Sequence, residues 1–126
     1  MDIVIRNASP EPLYSQIYTQ IRDQIVAGTL KPGDALPSIR ALAKDLRISV
    51  ITTRRAYDEL ERDGFIVTAA ARGCFVAERD VAQFRQARLD ELRALLGEAA
   101  RLAASCGVDG AQLREMLAEQ IEEAGK

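Results

Sequence analysis

The stretch from Leu36 to Val76 reads LPSIRALAKDLRISVITTRRAYDELERDGFIVTAAARGCFV and decides the fold. Within it, Ser38 and Ser49 each precede a run whose apolar residues recur at helical spacing. A serine hydroxyl can accept a hydrogen bond from a free backbone N–H in the first turn of a helix. Glycine, here Gly64, often follows the last turn. The stretch therefore predicts two short helices joined by a tight turn, which is a helix-turn-helix.

Two short β-type runs follow the second helix, FIVT at residues 65–68 and CFV at residues 74–76. The residues between them include Gly73, which can take the conformation that a hairpin turn requires. Residues 35–37 are expected to be extended, because a residue before proline is restricted to β geometry. They could add a short third strand beside the hairpin. Helix, turn, helix and hairpin in this order are the winged form of the motif.

The residues before this stretch predict a further helix and a short apolar run. Apolar residues at every fourth position from Leu13 to Ile25 form a core-facing stripe, so a helix is expected over residues 13–27. Residues 3–5 read IVI, a β-type run that is either a docked edge segment or an ordered tail. Residues 1–78 are therefore assigned to a winged helix-turn-helix domain with three helices and a β-hairpin wing.

Two amphipathic helices are predicted in residues 79–126, which gives an α+β fold with a two-helix C-terminal tail. The first covers about residues 79–104, and the second begins after Asp109, where Gln112 completes a capping-box pattern. The apolar stripes of these helices either fold back onto the winged domain or pair with a second copy. Pairing is favoured because twofold dimers are the commonest oligomers. The residues assigned to dimerisation are Phe84, Leu92, Leu95, Leu96, Leu102, Leu113, Met116, Leu117 and Ile121.

Composition excludes several classes of function. The 126 residues include no histidine, which removes Ser-His-Asp and Cys-His catalysis and histidine-based metal sites. No paired acidic motif stands out, so an enzyme, a cofactor and a metal site are not expected. Cys74 and Cys106 are expected to be free thiols that are buried or half-buried. No apolar run is long enough to span a membrane and no signal peptide is recognised, so a cytoplasmic location is expected.

Basic charge is concentrated in the helix-turn-helix, although the chain as a whole has a formal net charge of −2. Residues 36–57 contain five basic residues and one acidic residue, a local balance of +4. Residues 79–126 contain seven basic and nine acidic residues, a balance of −2. A surface that faces phosphates requires such local clustering of cations.

Three segments resemble the GntR family of bacterial transcription regulators. They are PLYSQIYTQIRDQIVAGTLKPGDALPSIRALAKDL at residues 12–46, TTRRAYDELERDGFI at residues 52–66 and RGCFV at residues 72–76. About 48 residues remain beyond them, a length and helicity similar to the short YtrA subfamily, whose tail serves dimerisation.

The resemblance implies a homodimeric transcription regulator, expected to be a repressor, that binds a pseudo-palindromic operator in double-stranded DNA. A transporter-type operon or the protein's own operon is the expected target. A small-molecule effector of unknown identity could bind between the tails of a dimer or beside the first helix. The alternative is a winged-helix protein-interaction module without DNA binding, which predicts no salt-dependent affinity for DNA.

The candidate DNA-binding residues lie in the helix-turn-helix and the wing. A duplex reader needs cations for phosphates and short polar or apolar groups for base edges. By resemblance, Arg40 matches a position that contacts DNA in the family, Thr52 matches a family threonine and Arg54 matches a basic position. Thr53 is assigned to the core. The helix after Ser49 is expected to enter the major groove N-terminus first. The full set is Ser38, Arg40, Ser49, Ile51, Thr52, Arg54, Arg55, Arg72 and Gly73.

The chain departs from the family pattern in the recognition helix and in the wing. At the position of Val50, relatives often have arginine or proline. At the position of Ile51, they often have a polar residue. Val50 is expected to pack against the preceding helix, whereas Ile51 either packs there or contacts a thymine methyl group. In the wing, Ala71 replaces the first glycine of a usual Gly-Arg-Gly core, and Arg72 is the one basic residue left. The wing is therefore expected to contribute less affinity than is typical.

Overall fold

The computed structural model describes residues 1–125, which form five helices and two strands. In chain order these are α1 (Leu13–Val26), α2 (Ile39–Leu46), α3 (Val50–Arg62), β1 (Ile66–Ala69), β2 (Gly73–Val76), α4 (Ala82–Ser105) and α5 (Gly110–Ala124). The order and type of these elements confirm the predicted winged helix-turn-helix followed by two helices. None of the helices within residues 1–125 is both long and apolar enough to cross a bilayer.

Serine caps start both helices of the helix-turn-helix, as predicted. The Ser38 hydroxyl accepts a hydrogen bond from the Ala41 N–H at 3.0 Å, and the Ser49 hydroxyl accepts one from the Thr52 N–H at 3.0 Å. Between them, Arg47 ends α2 with a φ of 57°, the left-handed conformation. That single residue turns the chain, so that the Ser49 cap of α3 follows two residues later and the helix starts at Val50.

The hairpin is antiparallel and carries a third extended segment at its edge. Ile66 lies opposite Val76 in the β1–β2 ladder. Ala35 forms an isolated bridge to Phe75, and the Leu36 N–H donates to the Cys74 carbonyl at 2.9 Å. The extended segment over residues 35–37 is therefore confirmed, although it makes a bridge rather than a full strand.

The core of the winged domain lies where α1, α3 and the hairpin meet. The apolar stripe predicted on α1 is buried from Ile17 onward, with Ile17 and Ile21 fully inaccessible to solvent, whereas its first residue, Leu13, is half-buried. Thr53 is also fully buried, as predicted, and its hydroxyl donates to the Ser49 carbonyl at 3.1 Å, so its polar atom is satisfied. The other buried residues of this cluster are Ile25, Leu30, Leu36, Leu42, Ala56, Tyr57, Leu60, Phe65, Ile66, Cys74 and Val76.

The N-terminal segment docks on α1 through glutamine side chains. Three glutamines, one on each successive turn of α1, hydrogen-bond to backbone groups of alternate residues in the segment. The pairs are Asp2 with Gln24, Val4 with Gln20, and Arg6 with Gln16. Four helical residues advance about 6 Å and two extended residues about 6.6 Å, so the two repeats match. The docked alternative is the one observed, held by side chains rather than by a sheet.

The chain divides into two compact units, Met1–Arg85 and Gln86–Lys126, so the division falls inside α4. In the first unit, the Phe84 ring packs 4.9 Å from the Phe65 ring, measured between centroids. In the second unit, the Asp109 capping box starts α5 as predicted. Both cysteines are free thiols. Cys74 is buried, as expected, whereas Cys106 is exposed and the expectation that it is buried or half-buried is wrong.

Candidate nucleic-acid interface

The first turn of α3 presents one hydroxyl group that is oriented by its neighbour. The Ser49 hydroxyl donates to the Thr52 hydroxyl oxygen at 2.8 Å while it accepts from the Thr52 N–H. Thr52 therefore uses an acceptor site internally, and its own hydroxyl proton is available for a phosphate or a base. Both residues were predicted from the sequence to lie on the DNA surface, and the structure places them together at the start of α3.

The outward face of α3 is the side opposite its buried residues. Ile51, Arg54 and Arg55 line a shallow depression on this face together with acidic and basic residues of the later turns. Ile51 is 81% exposed. The interpretation in which Ile51 packs against α2 is therefore wrong, whereas Val50 is half-buried, as its predicted packing requires.

Charge is distributed unevenly along α3. Residues 50–57 contain two arginines and no acidic residue, whereas residues 58–62 contain Asp58, Glu59 and Glu61 with one arginine. The N-terminal half therefore carries a charge of +2 and the C-terminal half a charge of −2. Because phosphates repel carboxylates, only the N-terminal half suits close contact with a nucleic acid.

Two arginines of the predicted site are exposed and unengaged. Arg40 lies in the first turn of α2 and Arg54 in the second turn of α3, and both side chains are exposed. Within residues 1–125, neither guanidinium group forms a hydrogen bond, an ion pair or a ring contact. Both cations are thus available for an external anion.

Arg55 differs from these two arginines because the protein already holds its side chain. Its guanidinium carbon lies 3.6 Å from the centroid of the Tyr14 ring, and its Nε lies 3.7 Å from a Glu59 carboxylate oxygen. The contact to α1 could not be found from the order of residues along α3. Arg55 retains a half-exposed cation, but Glu59 neutralises part of its field.

The wing tip presents Arg72 at an exposed turn. The Arg72 N–H donates to the Ala69 carbonyl at 3.0 Å, and the residues on either side, Ala71 and Gly73, have φ angles of 64° and 103°. A Cβ at Gly73 would meet no atom within 4 Å, so its positive φ rather than crowding favours glycine there. Within residues 1–125, no hydrogen bond or ion pair joins Arg72 to α3.

Arg47 is a cationic residue of this region that sequence reasoning counted but did not assign to the site. It is exposed and occupies the left-handed position between α2 and α3. A non-glycine residue in that conformation carries a cost of about 1–2 kcal/mol. The sequence offered a signal for this unusual position, since an arginine stands in a tight turn where glycine is favoured.

The apolar residues assigned to dimerisation fall into two groups. In the second unit, Leu96, Leu113 and Leu117 line an apolar groove between α4 and α5. Leu113 is half-buried, and the other apolar residues assigned to dimerisation in this unit are 44–69% exposed, namely Leu92, Leu95, Leu96, Leu102, Met116, Leu117 and Ile121. Phe84 instead belongs to the first unit, where it packs on Phe65.

Comparison with known proteins identifies the family. Residues 13–76 match the sequence profile of the bacterial regulatory proteins of the gntR family. The chain belongs to the GntR family. It is 33% identical over 117 residues to the HTH-type transcriptional repressor YtrA of Bacillus subtilis (strain 168), an alignment that covers 93% of this chain and 90% of that protein.

Two solved structures resemble this chain. YtrA from Sulfolobus acidocaldarius, a GntR-family transcription factor, superposes with a TM-score of 0.58 and 40% identity, covering 75% of this chain and 97% of that chain. The DNA-binding domain of AraR, solved in complex with an operator, superposes with a TM-score of 0.51 and 25% identity. That match covers 61% of this chain and 94% of that chain.

The GntR assignment confirms three predictions from the sequence. The resemblance to this family and to its YtrA members is correct, and so is the winged helix-turn-helix fold. The family and the relatives of this chain are transcriptional regulators, which confirms that it is not an enzyme. DNA-binding regulation is accordingly the general function of this GntR protein.

Proposed function

We propose that this GntR protein is a homodimeric repressor that places the N-terminal half of α3 in the major groove of a pseudo-palindromic DNA operator. The observation that carries the proposal is the charge distribution on α3. Two of its three arginines lie in the half that follows the Ser49 cap, and all three of its acidic residues lie in the other half. A recognition helix that enters the groove N-terminus first needs this polarity.

Phosphate contacts are proposed for Arg40 and Arg54, whose guanidinium groups have no partner within residues 1–125. Arg54 lies three residues after Ile51, about 4.5 Å further along the helix axis, so it reaches the groove edge when the first turn lies inside. Arg40 lies in the first turn of α2, where the Ser38 cap leaves backbone N–H groups and a partial positive charge facing outward. Arg55 and Arg72 are proposed as weaker contacts.

Dimerisation is proposed for the tail. Its exposed leucine, isoleucine and methionine side chains supply the apolar surface that a stable pair of protomers needs to bury. Two recognition helices related by a twofold axis would read half-sites one helical turn apart, about 34 Å, or a multiple of it. The operon controlled would be of the transporter type or the protein's own. The protein would act in the cytoplasm, and an effector would bind at the tails or beside α1.

Selection of binding sites tests the DNA-binding part of the proposal. Genomic fragments are incubated with the protein at low salt, and bound fragments are sequenced and then titrated with salt. We expect a pseudo-palindromic sequence to be enriched and its affinity to fall steeply with salt concentration, since released counterions drive phosphate binding. A lack of enrichment, or affinity that salt does not change, would support the protein-interaction alternative.

A charge placed in the tail tests the dimer. Leu95→Glu puts a carboxylate among the exposed apolar residues of α4, whereas Ala94→Glu puts the same group about 100° around the helix. Sedimentation equilibrium should show a dimer for the wild type and for Ala94→Glu, and a monomer for Leu95→Glu at the same concentration. A wild-type monomer at micromolar concentration, or a Leu95→Glu dimer as tight as the wild type, would contradict the proposed interface.

A further inference from the structure

Ile51 is the most exposed large apolar side chain among residues 1–125, with 81% of its surface accessible. It occupies the second position of α3, on the face opposite the buried Thr53, Ala56 and Tyr57. No part of the described chain covers it. An aliphatic side chain presented in this way to water has no role in the stability of the domain.

The neighbours of Ile51 are groups suited to DNA. Thr52 beside it has an available hydroxyl proton, and Arg54 one turn later has an available guanidinium group. Val50 before it is half-buried and turned toward the protein. Ile51 is therefore the side chain that would project furthest into a groove entered by the start of α3.

The major groove offers only one apolar group among the edges of the four bases, the C5 methyl group of thymine. The other base-edge groups in the groove are hydrogen-bond donors and acceptors, which an isoleucine would strip of water without replacing the lost hydrogen bonds. An isoleucine at this position thus favours thymine and disfavours a cytosine amino group or a guanine edge.

We infer that Ile51 reads the methyl group of one thymine in each half-site of the operator. The inference rests on the proposed function, because it requires the start of α3 to lie in a major groove. It adds a base preference that the family resemblance does not supply, since Ile51 stands where relatives often have a polar residue.

The test removes the methyl group from the DNA rather than from the protein alone. The duplex enriched by selection is synthesised with each thymine replaced in turn by deoxyuridine, which lacks only the C5 methyl. Each half-site should contain one thymine whose replacement lowers the affinity. Replacing it in one half-site should lower the affinity about fourfold, and replacing it in both half-sites about 16-fold, as expected for burial of one methyl-sized group per contact. The other thymines should show little change.

Ile51→Ala supplies the second arm of the experiment. This variant should bind the thymine duplex more weakly than the wild type and should no longer distinguish thymine from deoxyuridine at that position. Because Ile51 is exposed, its replacement should leave the melting temperature unchanged. Val4→Ala, which trims an exposed aliphatic side chain outside α3, should retain the full deoxyuridine effect.

The outcomes separate this inference from the function on which it rests. A duplex that binds with steep salt dependence but shows no deoxyuridine effect would overturn the thymine assignment and leave the regulator intact. The same holds if Ile51→Ala retains the full effect. If no duplex is enriched at all, the proposed function fails and the inference fails with it.

Discussion

The hydroxyl of Tyr57 on α3 donates a hydrogen bond of 2.7 Å to the carbonyl oxygen of Pro37, the residue before the Ser38 cap of α2. Tyr57 is only 2% exposed, and burial raises the pKa of its hydroxyl, which keeps the donor protonated. The bond joins the recognition helix to the segment that carries the Ser38 cap and Arg40. It therefore couples the two elements proposed to contact DNA.

Replacement of Tyr57 by phenylalanine tests this coupling. Tyr57→Phe keeps the ring in the core but leaves the Pro37 carbonyl without its donor, so the free energy of unfolding should fall by about 1–3 kcal/mol. Urea denaturation measures the change. Tyr14→Phe is the matched control, because the Tyr14 hydroxyl has no hydrogen-bond partner within residues 1–125. Equal losses in both variants would show that the bond to Pro37 contributes nothing specific.

Replacement of Arg47 by glycine should stabilise the fold. Arg47→Gly removes the left-handed strain at φ 57° but adds backbone entropy to the unfolded chain, so a net gain of about 0.5–1 kcal/mol is expected. Thermal or urea unfolding gives the value. Arg47→Ala removes the same charged side chain but keeps a Cβ in the strained conformation, so it should not gain. A gain in Arg47→Ala as large as in Arg47→Gly would mean that charge, not backbone strain, is responsible.

Alkaline pH should weaken the fold through Tyr18. Burial, and then the hydrogen bond that the Tyr18 hydroxyl donates to the Asp63 carboxylate, raises its pKa to about 12. A tyrosine in the unfolded chain titrates at about pH 10, so between pH 10 and 12 the folded state keeps a proton that the unfolded state has lost. Stability present below pH 10 is therefore lost as the pH rises.

The variant Tyr18→Phe isolates this contribution. The free energy of unfolding of Tyr18→Phe should fall less steeply between pH 10 and 12 than that of the wild type. The difference in slope should correspond to about one proton released per molecule on unfolding, and the remaining slope comes from Tyr57. Denaturant midpoints measured at intervals across that range give both slopes. Superimposable profiles for Tyr18→Phe and the wild type would contradict the raised pKa.

The wing should contribute less to DNA affinity than α2 does. Arg72 is the one basic residue of the wing turn, whereas Arg40 is supported by the N-terminus of α2. Arg72→Ala should therefore weaken operator binding less than Arg40→Ala, which should lose about tenfold or more because a charged contact contributes roughly 1.5–3 kcal/mol. Electrophoretic mobility shifts on the same duplex compare the two. A loss for Arg72→Ala as complete as that for Arg40→Ala would overturn this ranking.

Features set by local chemistry could be predicted from the sequence. The caps at Ser38, Ser49 and Asp109 were predicted because each depends on a side chain and an amide three residues apart. The start of α4 was predicted less well, since the helix begins at Ala82 rather than at residue 79. Just before it, the Asp80 carboxylate accepts from the Ala82 N–H at 2.8 Å, a contact only two residues apart.

Features set by contacts between distant residues could not be predicted. The stacking of Arg55 on Tyr14 joins α3 to α1, and no pattern within either helix reports it. The glutamine contacts of the N-terminal segment join backbone groups to side chains as many as 22 residues away. For Ile51, sequence left packing and exposure equally open, because the turn at Arg47 sets the rotation of α3.

The salt dependence of affinity tests most directly whether the unpartnered arginines of the helix-turn-helix bind DNA phosphates. The wild type, Arg54→Ala and a tail control, Arg101→Ala, are titrated with salt on the same selected duplex. Loss of one phosphate contact per protomer should flatten the log–log slope of the dimer by about 1.8, and the control should match the wild type. An Arg54→Ala slope equal to that of the wild type would contradict the account.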